Sequence, residues 1–151
     1  MTEIVYGNIE LPCNIDITDP SYDEDVWCRI NNFPISAGTY ECYVTMADND
    51  ETNGWGTRIA RIGIRRKDYK ADRYERRGMI GVDSGMAGFF NCDNRKAFEE
   101  MFENHNSTKD VIFTGTAFFS SSGYGDGCYD VYVGYNNQLT TEVYINFIEE
   151  E

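Results

Sequence analysis

Apolar residues recur at every second position through several stretches of this chain, the pattern of strands with one buried face. Ile9, Leu11, Cys13, Ile15 and Ile17 fall on one side, with Glu10, Asn14 and Asp16 on the other. Pro12, which has no amide to donate, marks that strand as an edge or a bulge. Tyr40, Cys42, Val44 and Met46 alternate with Glu41, Tyr43 and Thr45, then run into the polar, glycine-ended stretch 48–54, which predicts a hairpin loop. The return strand, about 56–66, keeps Ile62 and Ile64 in phase and Ile59 out of phase, so a bulge is expected near Ile59. Val26 to Ile30 reads as a short strand, 31–38 as a loop, and 67–77 as a polar, charged stretch. Met79 to Val82 and Met86 to Phe90 flank the turn Asp83-Ser84-Gly85, where glycine supplies a positive φ. Val111 to Phe119, Cys128 to Tyr135 and Glu142 to Ile148 complete the strands, the last two joined at Asn136-Asn137.

The period changes once. From Asn94 to His105, Ala97, Phe98, Met101 and Phe102 share a helical face opposite Arg95, Glu99, Glu100 and Glu103, and Asp93 is placed to cap the first turn. Seven to nine short strands and one helix predict a mainly β, single-domain antiparallel β-sandwich or partly open barrel over residues 1–151, with the helix at about 94–105 covering one end. A chain of 151 residues buries roughly two-thirds of its unfolded surface, enough for one core.

Composition narrows the class. With 41% hydrophobic residues, 11 Tyr and 9 Phe, the chain carries enough apolar surface to fold despite a net charge of -13. No stretch reaches the roughly 18 apolar residues of a membrane span, and no basic then apolar leader opens the chain, so a cytoplasmic protein is expected. Cys13, Cys28, Cys42, Cys92 and Cys128 are odd in number and contain no Cys-x-x-Cys pair, which predicts buried free thiols. Neither a metal site nor a cofactor is expected.

Charge is uneven along the chain. Residues 58–77 hold nine cations (Arg58, Arg61, Arg65, Arg66, Lys67, Lys70, Arg73, Arg76, Arg77) against three acids, a local balance of +6, while 1–57 carry -10 and 78–151 carry -9. Three consequences compete. The basic segment can be neutralised by acids of its own fold; it can hold a phosphate-bearing ligand, with Tyr69 and Tyr74 offering stacking faces; or the acidic body can dock on a basic protein. Direct nucleic-acid binding is disfavoured, because -13 repels a polyanion.

Catalytic constellations are sparse. His105 is the lone histidine, at the end of the predicted helix, where the macrodipole explains it. Gly81-Val82-Asp83-Ser84-Gly85 is not Gly-x-Ser-x-Gly and sits between strands rather than before a helix. Gly123-Tyr124-Gly125-Asp126-Gly127 has Gly-x-Gly without a following helix or a Walker-type lysine. Asp48, Asp50 and Gly54 miss the calcium-loop spacing, with Ile59 where a bidentate Glu belongs. Looser acid pairs remain open, Asp126 with Asp130 or Asp19 with Asp83, each competing with an ordinary turn role.

Three blocks carry a family likeness: Arg58-Ile59-Ala60-Arg61-Ile62; Gly81-Val82-Asp83-Ser84-Gly85 through Phe89; and Ser122-Gly123-Tyr124-Gly125-Asp126-Gly127-x-Tyr129 with Val131-Tyr132-x-Gly134-Tyr135. Over about residues 56–148 the chain resembles an uncharacterised bacterial and phage family, domain of unknown function 4241. Ser84 departs from the alanine of that family's pattern, and the basic stretch at 65–77 is richer. The resemblance implies a β-rich single domain and supplies no catalytic residues.

The expected function is that of a small, acidic, non-catalytic binding or regulatory protein, phage-borne or mobile-element-borne in keeping with that likeness. It would act on a protein with a basic surface through Asp23, Glu24, Asp25, Asp48, Asp50 and Glu51. The alternative is a binder of a phosphorylated or nucleotide small ligand. That site would combine Arg65, Arg66 and Arg73 of the basic segment with Ser122, Tyr124 and Asp126 of the 122–127 glycine turn.

Overall fold

In the computed structural model, residues 2–19, 29–47, 58–90, 111–113, 117–123 and 125–148 are described. They form eleven strands: β1 Thr2–Leu11, β2 Asn14–Thr18, β3 Ile30–Pro34, β4 Gly38–Ala47, β5 Arg58–Arg65, β6 Arg73–Val82, β7 Met86–Phe90, β8 Val111–Phe113, β9 Ala117–Ser121, β10 Gly127–Asn136 and β11 Leu139–Asn146. Sheet A has the order β1-β4-β5-β11-β10-β6 and sheet B the order β3-β2-β7-β9-β8. Every pairing is antiparallel, and neither sheet closes into a barrel. The helix expected at 94–105 lies outside the described residues, and no helix among the described residues is long and apolar enough to cross a membrane.

One apolar cluster fills the space between the sheets. Ile62, Ile64, Val131, Val133, Val143 and Ile145 from sheet A meet Ile15, Ile17, Phe89 and Phe118 from sheet B. The alternation beginning at Ile9 is real but spans two sheets. Leu11 ends β1 in sheet A, Asn14 opens β2 in sheet B, and Pro12 stands where the chain changes sheet. Because both sheets face the same core, Ile9, Leu11, Ile15 and Ile17 all stay buried across that corner, while Cys13 is exposed.

Several other expectations are corrected. Residues 30–34, read as mostly loop, are β3; the second half of the charged stretch opens β6 at Arg73; and Val111 to Phe119 is the hairpin β8–β9 rather than one strand. The predicted bulge is present, with Met46 facing Ile59 while Thr45 faces Arg61. Sheet B also has a second apolar face, where Met86, Phe90, Ile112, Ala117 and Phe119 cluster away from the main core. Beside it lies a buried ion pair, Arg29 to Asp16 at 3.1 Å.

The turn between β6 and β7 carries the chain from sheet A to sheet B and is organised by Asp19. This carboxylate is wholly buried and accepts the amides of Asp83 and Ser84 and the Ser84 hydroxyl, each at 2.7 Å. The Asp19–Asp83 acid pair considered from sequence is therefore a carboxylate capping a backbone turn. Hydrogen bonds to a charged acceptor contribute roughly 1.5–3 kcal/mol each and do not add fully. Asp19→Ala should lower stability by about 3 kcal/mol in a chemical denaturation series, and Ser84→Ala by about 1 kcal/mol, since it leaves both amide bonds in place.

Candidate binding surfaces

Sheet A turns its second face outward as a lattice of tyrosines, arginines and carboxylates. At its centre, the Tyr43 ring lies across Gly63, where a Cβ would come within 2.4 Å of the ring. Glycine in this strand makes room for a neighbour's side chain. Tyr43 is thereby only 2% exposed although it points away from the core. Its hydroxyl donates to one oxygen of Glu142, and the Tyr74 hydroxyl donates to the other at 2.7 Å. Burial first, and then the adjacent Glu142 carboxylate, hold both hydroxyls above the ordinary tyrosine range.

Five arginines of the basic segment, Arg61, Arg65, Arg66, Arg73 and Arg76, are used on this face. Arg65 donates to Glu41 at 2.8 and 3.1 Å and to both oxygens of Glu3, and it lies 4.4 Å over the Tyr43 ring. Those hydrogen bonds hold the Glu3 and Glu41 carboxyls below their usual range. Arg66 donates to the carbonyls of Ser36, Ala37 and Thr140 and lies over Tyr40. Arg73 reaches the Asn137 carbonyl at 2.7 Å and sits near Asp72 and Glu75, while Arg76 pairs with Asp130 at 2.8 Å. Arg61 lies 3.9 Å over Tyr144, which stacks on Tyr132.

The glycine turn is built from its own backbone. The Ser122 amide donates to the Gly85 carbonyl, the Ser122 hydroxyl to the Gly125 carbonyl, and the Tyr129 hydroxyl to the carbonyls of Ser122 and Gly125. Gly123 has φ 63°, and a Cβ on it would press on Phe147, Ile148 and the Ile59 carbonyl at 3.1–3.3 Å. The three family-like blocks thus meet at one end of the sandwich, through Ile59, Gly85 and Ser122–Gly123. Asp126 is exposed, and Tyr124 lies outside the described residues.

Sequence reasoning joined the arginines and this turn into one phosphate site. The structure separates them. β5 begins beside the turn at Arg58 and ends at Arg65; β6 begins at Arg73 against Tyr135 and ends at Val82 against Gly127. At about 3.3 Å per residue the two groups lie roughly 20–30 Å apart at opposite ends of sheet A. Asp23, Glu24, Asp25, Asp48, Asp50 and Glu51 lie outside the described residues. Asp130 is engaged by Arg76, and among the described residues no group of three or more His, Cys, Asp or Glu side chains is arranged to hold a metal ion. Among the thiols, Cys42 is buried, with its pKa pushed up to about 12 by burial, whereas Cys13 and Cys128 are exposed, contrary to the expectation of burial.

Sequence reasoning missed the Tyr43–Gly63–Glu142 arrangement. Its one visible signal was a glycine between Ile62 and Ile64 in a strand, which marks a close approach. Compared with protein families, curated proteins and solved structures, the chain has no match.

Arg65→Gln tests the charge network. Glu3 and Glu41 ionise more readily in the fold than their ordinary value of 4.5, so their contribution is present above that value and is lost as pH falls through the lowered folded value. With Arg65 and Glu3 partly exposed, the solvent-screened loss is about 1 kcal/mol at neutral pH. The difference in melting temperature between wild type and Arg65→Gln should narrow below pH 4.5.

Proposed function

We propose that this is a non-catalytic binding protein that docks an acidic pole on the basic surface of a partner protein. One observation carries the reading: three acid-rich segments of the chain that hold no cation join the described structure at the same end. Segment 20–28 follows Asp19, which caps the turn at Asp83 and Ser84. Segment 48–57 lies between Ala47 and Arg58, which face each other across β4 and β5. Residues 149–151 follow Ile148, whose amide is held by the Ala60 carbonyl.

These three segments contain Asp23, Glu24, Asp25, Asp48, Asp50, Glu51, Glu149, Glu150 and Glu151, and no cation. Exposed Asp83 and Asp126 belong to the same end. At the opposite end, Arg65, Arg66, Lys67, Lys70 and Arg73 are offset by Glu10, Glu41, Asp68, Asp72, Glu75 and Glu142. With nine acids and no cation, these three segments alone carry -9 of the net charge of -13. Such a field steers association with a cationic partner and disfavours polyanions. Membership of the 4241 family, a phage or mobile-element origin and action in the cytoplasm belong to the same proposal.

The test compares two charge-reversed proteins used as baits in host lysate at low salt. In one, Asp23, Glu24, Asp25, Asp48, Asp50 and Glu51 become lysine; in the other, Glu10, Asp68 and Asp72 do. A partner held through the acidic pole is retained by wild type and by the second variant and lost by the first. With the purified partner, affinity should fall at least about tenfold between low and physiological salt. Equal retention by both variants, or equal loss, contradicts the reading.

A further inference from the structure

At the opposite end from the acidic pole, the connection from β5 to β6 arches over the start of β11 and leaves a cavity of about 470 Å³. That volume lies within the range of small-ligand sites, roughly 300–1,000 Å³. We infer that this cavity binds a small phosphate monoester carrying a planar ring, held by Lys67, Lys70, Tyr69, Tyr74 and Thr141.

The chemistry of the lining selects that class. Arg65, Arg66, Lys67 and Lys70 line the cavity together with Glu41 and Glu142. Both carboxylates are already engaged, Glu142 by two tyrosine hydroxyls and Glu41 by Arg65 and Lys67. Arg65 and Arg66 are pinned by Glu3, Glu41 and backbone carbonyls, and so form a fixed positive wall.

The lysines differ from that wall. Lys67 touches Glu41 at 3.3 Å with its side chain 66% exposed, and Lys70 forms no ion pair among the described residues. Two exposed ammonium groups beside a positive wall suit a dianion. Tyr69 and Tyr74, 49% and 52% exposed, offer ring faces on the same rim. A planar group stacked on such a ring gains roughly 1–3 kcal/mol.

An independent observation comes from Thr141. It lines the cavity and is only 1% exposed, yet its hydroxyl has no hydrogen-bond partner among the described residues. A buried polar atom left without a partner costs stability, and a turn of the Thr141 side chain toward the cavity on binding would let a ligand oxygen partner its hydroxyl. None of this requires the arginines to meet the glycine turn, and none of it depends on the acidic pole.

Isothermal titration calorimetry of the full chain at low salt tests the inference with adenosine 5′-monophosphate, phenyl phosphate, adenosine and inorganic phosphate. At least one ester should bind saturably, and which ester binds identifies a nucleotide or a simple aryl phosphate. Adenosine and inorganic phosphate should bind at least tenfold more weakly. Lys67→Gln with Lys70→Gln should weaken the ester at least tenfold while lowering the melting temperature only slightly, because the one ion pair lost, Lys67 to Glu41, is largely solvent-exposed at the lysine. Tyr69→Ala should weaken the ester and leave inorganic phosphate unchanged. The inference is overturned if neither ester saturates at millimolar concentration, if inorganic phosphate binds as tightly as the ester, or if the lysine variant binds like wild type.

Discussion

Glu142 stands on the outer face of the six-stranded sheet and accepts a tyrosine hydroxyl on each oxygen, from β4 on one side and β6 on the other. The rest of that face follows from this arrangement. Tyr43 reaches Glu142 only because Gly63 leaves the strand between them bare. With the Tyr43 ring laid flat, Arg65 has a surface to stack on and stays between Glu3 and Glu41. A burial of this kind on a solvent-facing side of a sheet is stabilising because each polar atom has a partner. Without Glu142 two tyrosine hydroxyls would be left to compete for water in a crowded site.

The lattice decides what the basic segment can do. Arginines that stack on tyrosines and bond to carboxylates or carbonyls are structural groups, held in place with their donors engaged within the fold. Of the cations that line the cavity, Lys67 and Lys70 are the more exposed. Chain connectivity complements this division, because Asp19, Ala47, Arg58 and Ile148, which flank three acid-rich segments, lie at the far end of the sandwich. The two recognition surfaces proposed above would then lie at opposite ends of the sandwich.

Much of the architecture was legible from period-2 patterning because both sheets bury one face in a common core. The same property concealed the division into sheets. Ile9, Leu11, Ile15 and Ile17 keep one inward phase while passing from β1 to β2, so alternation alone reads as one strand. Ala117, Phe118 and Phe119 are all buried, two faces of a strand covered at once, and a run without alternation hides the hairpin that precedes it. The β6 strand was obscured for the opposite reason: Arg73 to Arg77 is exposed and charged, as an edge of a sheet can be. For the site, sequence exposed the ingredients and not their distances. Arg65, Arg73 and the 122–127 turn look adjacent in chemistry, and antiparallel pairing sends them to opposite ends. The role of Asp19 likewise depends on a long-range contact, 64 residues along the chain, that no local pattern reports.

The claim that the outer face is a closed, internally satisfied lattice is tested most directly by a pH titration of the protein labelled with ¹³C at the tyrosine Cζ, which reports each phenol separately. Tyr43 and Tyr74 should remain protonated as pH passes about 10, where a free tyrosine ionises, and Glu142→Gln should bring Tyr74 to ionise at lower pH by removing the neighbouring charge. Titration of Tyr43 and Tyr74 at about 10, unchanged by Glu142→Gln, would mean that the tyrosines and arginines of this face are free, and would contradict the account.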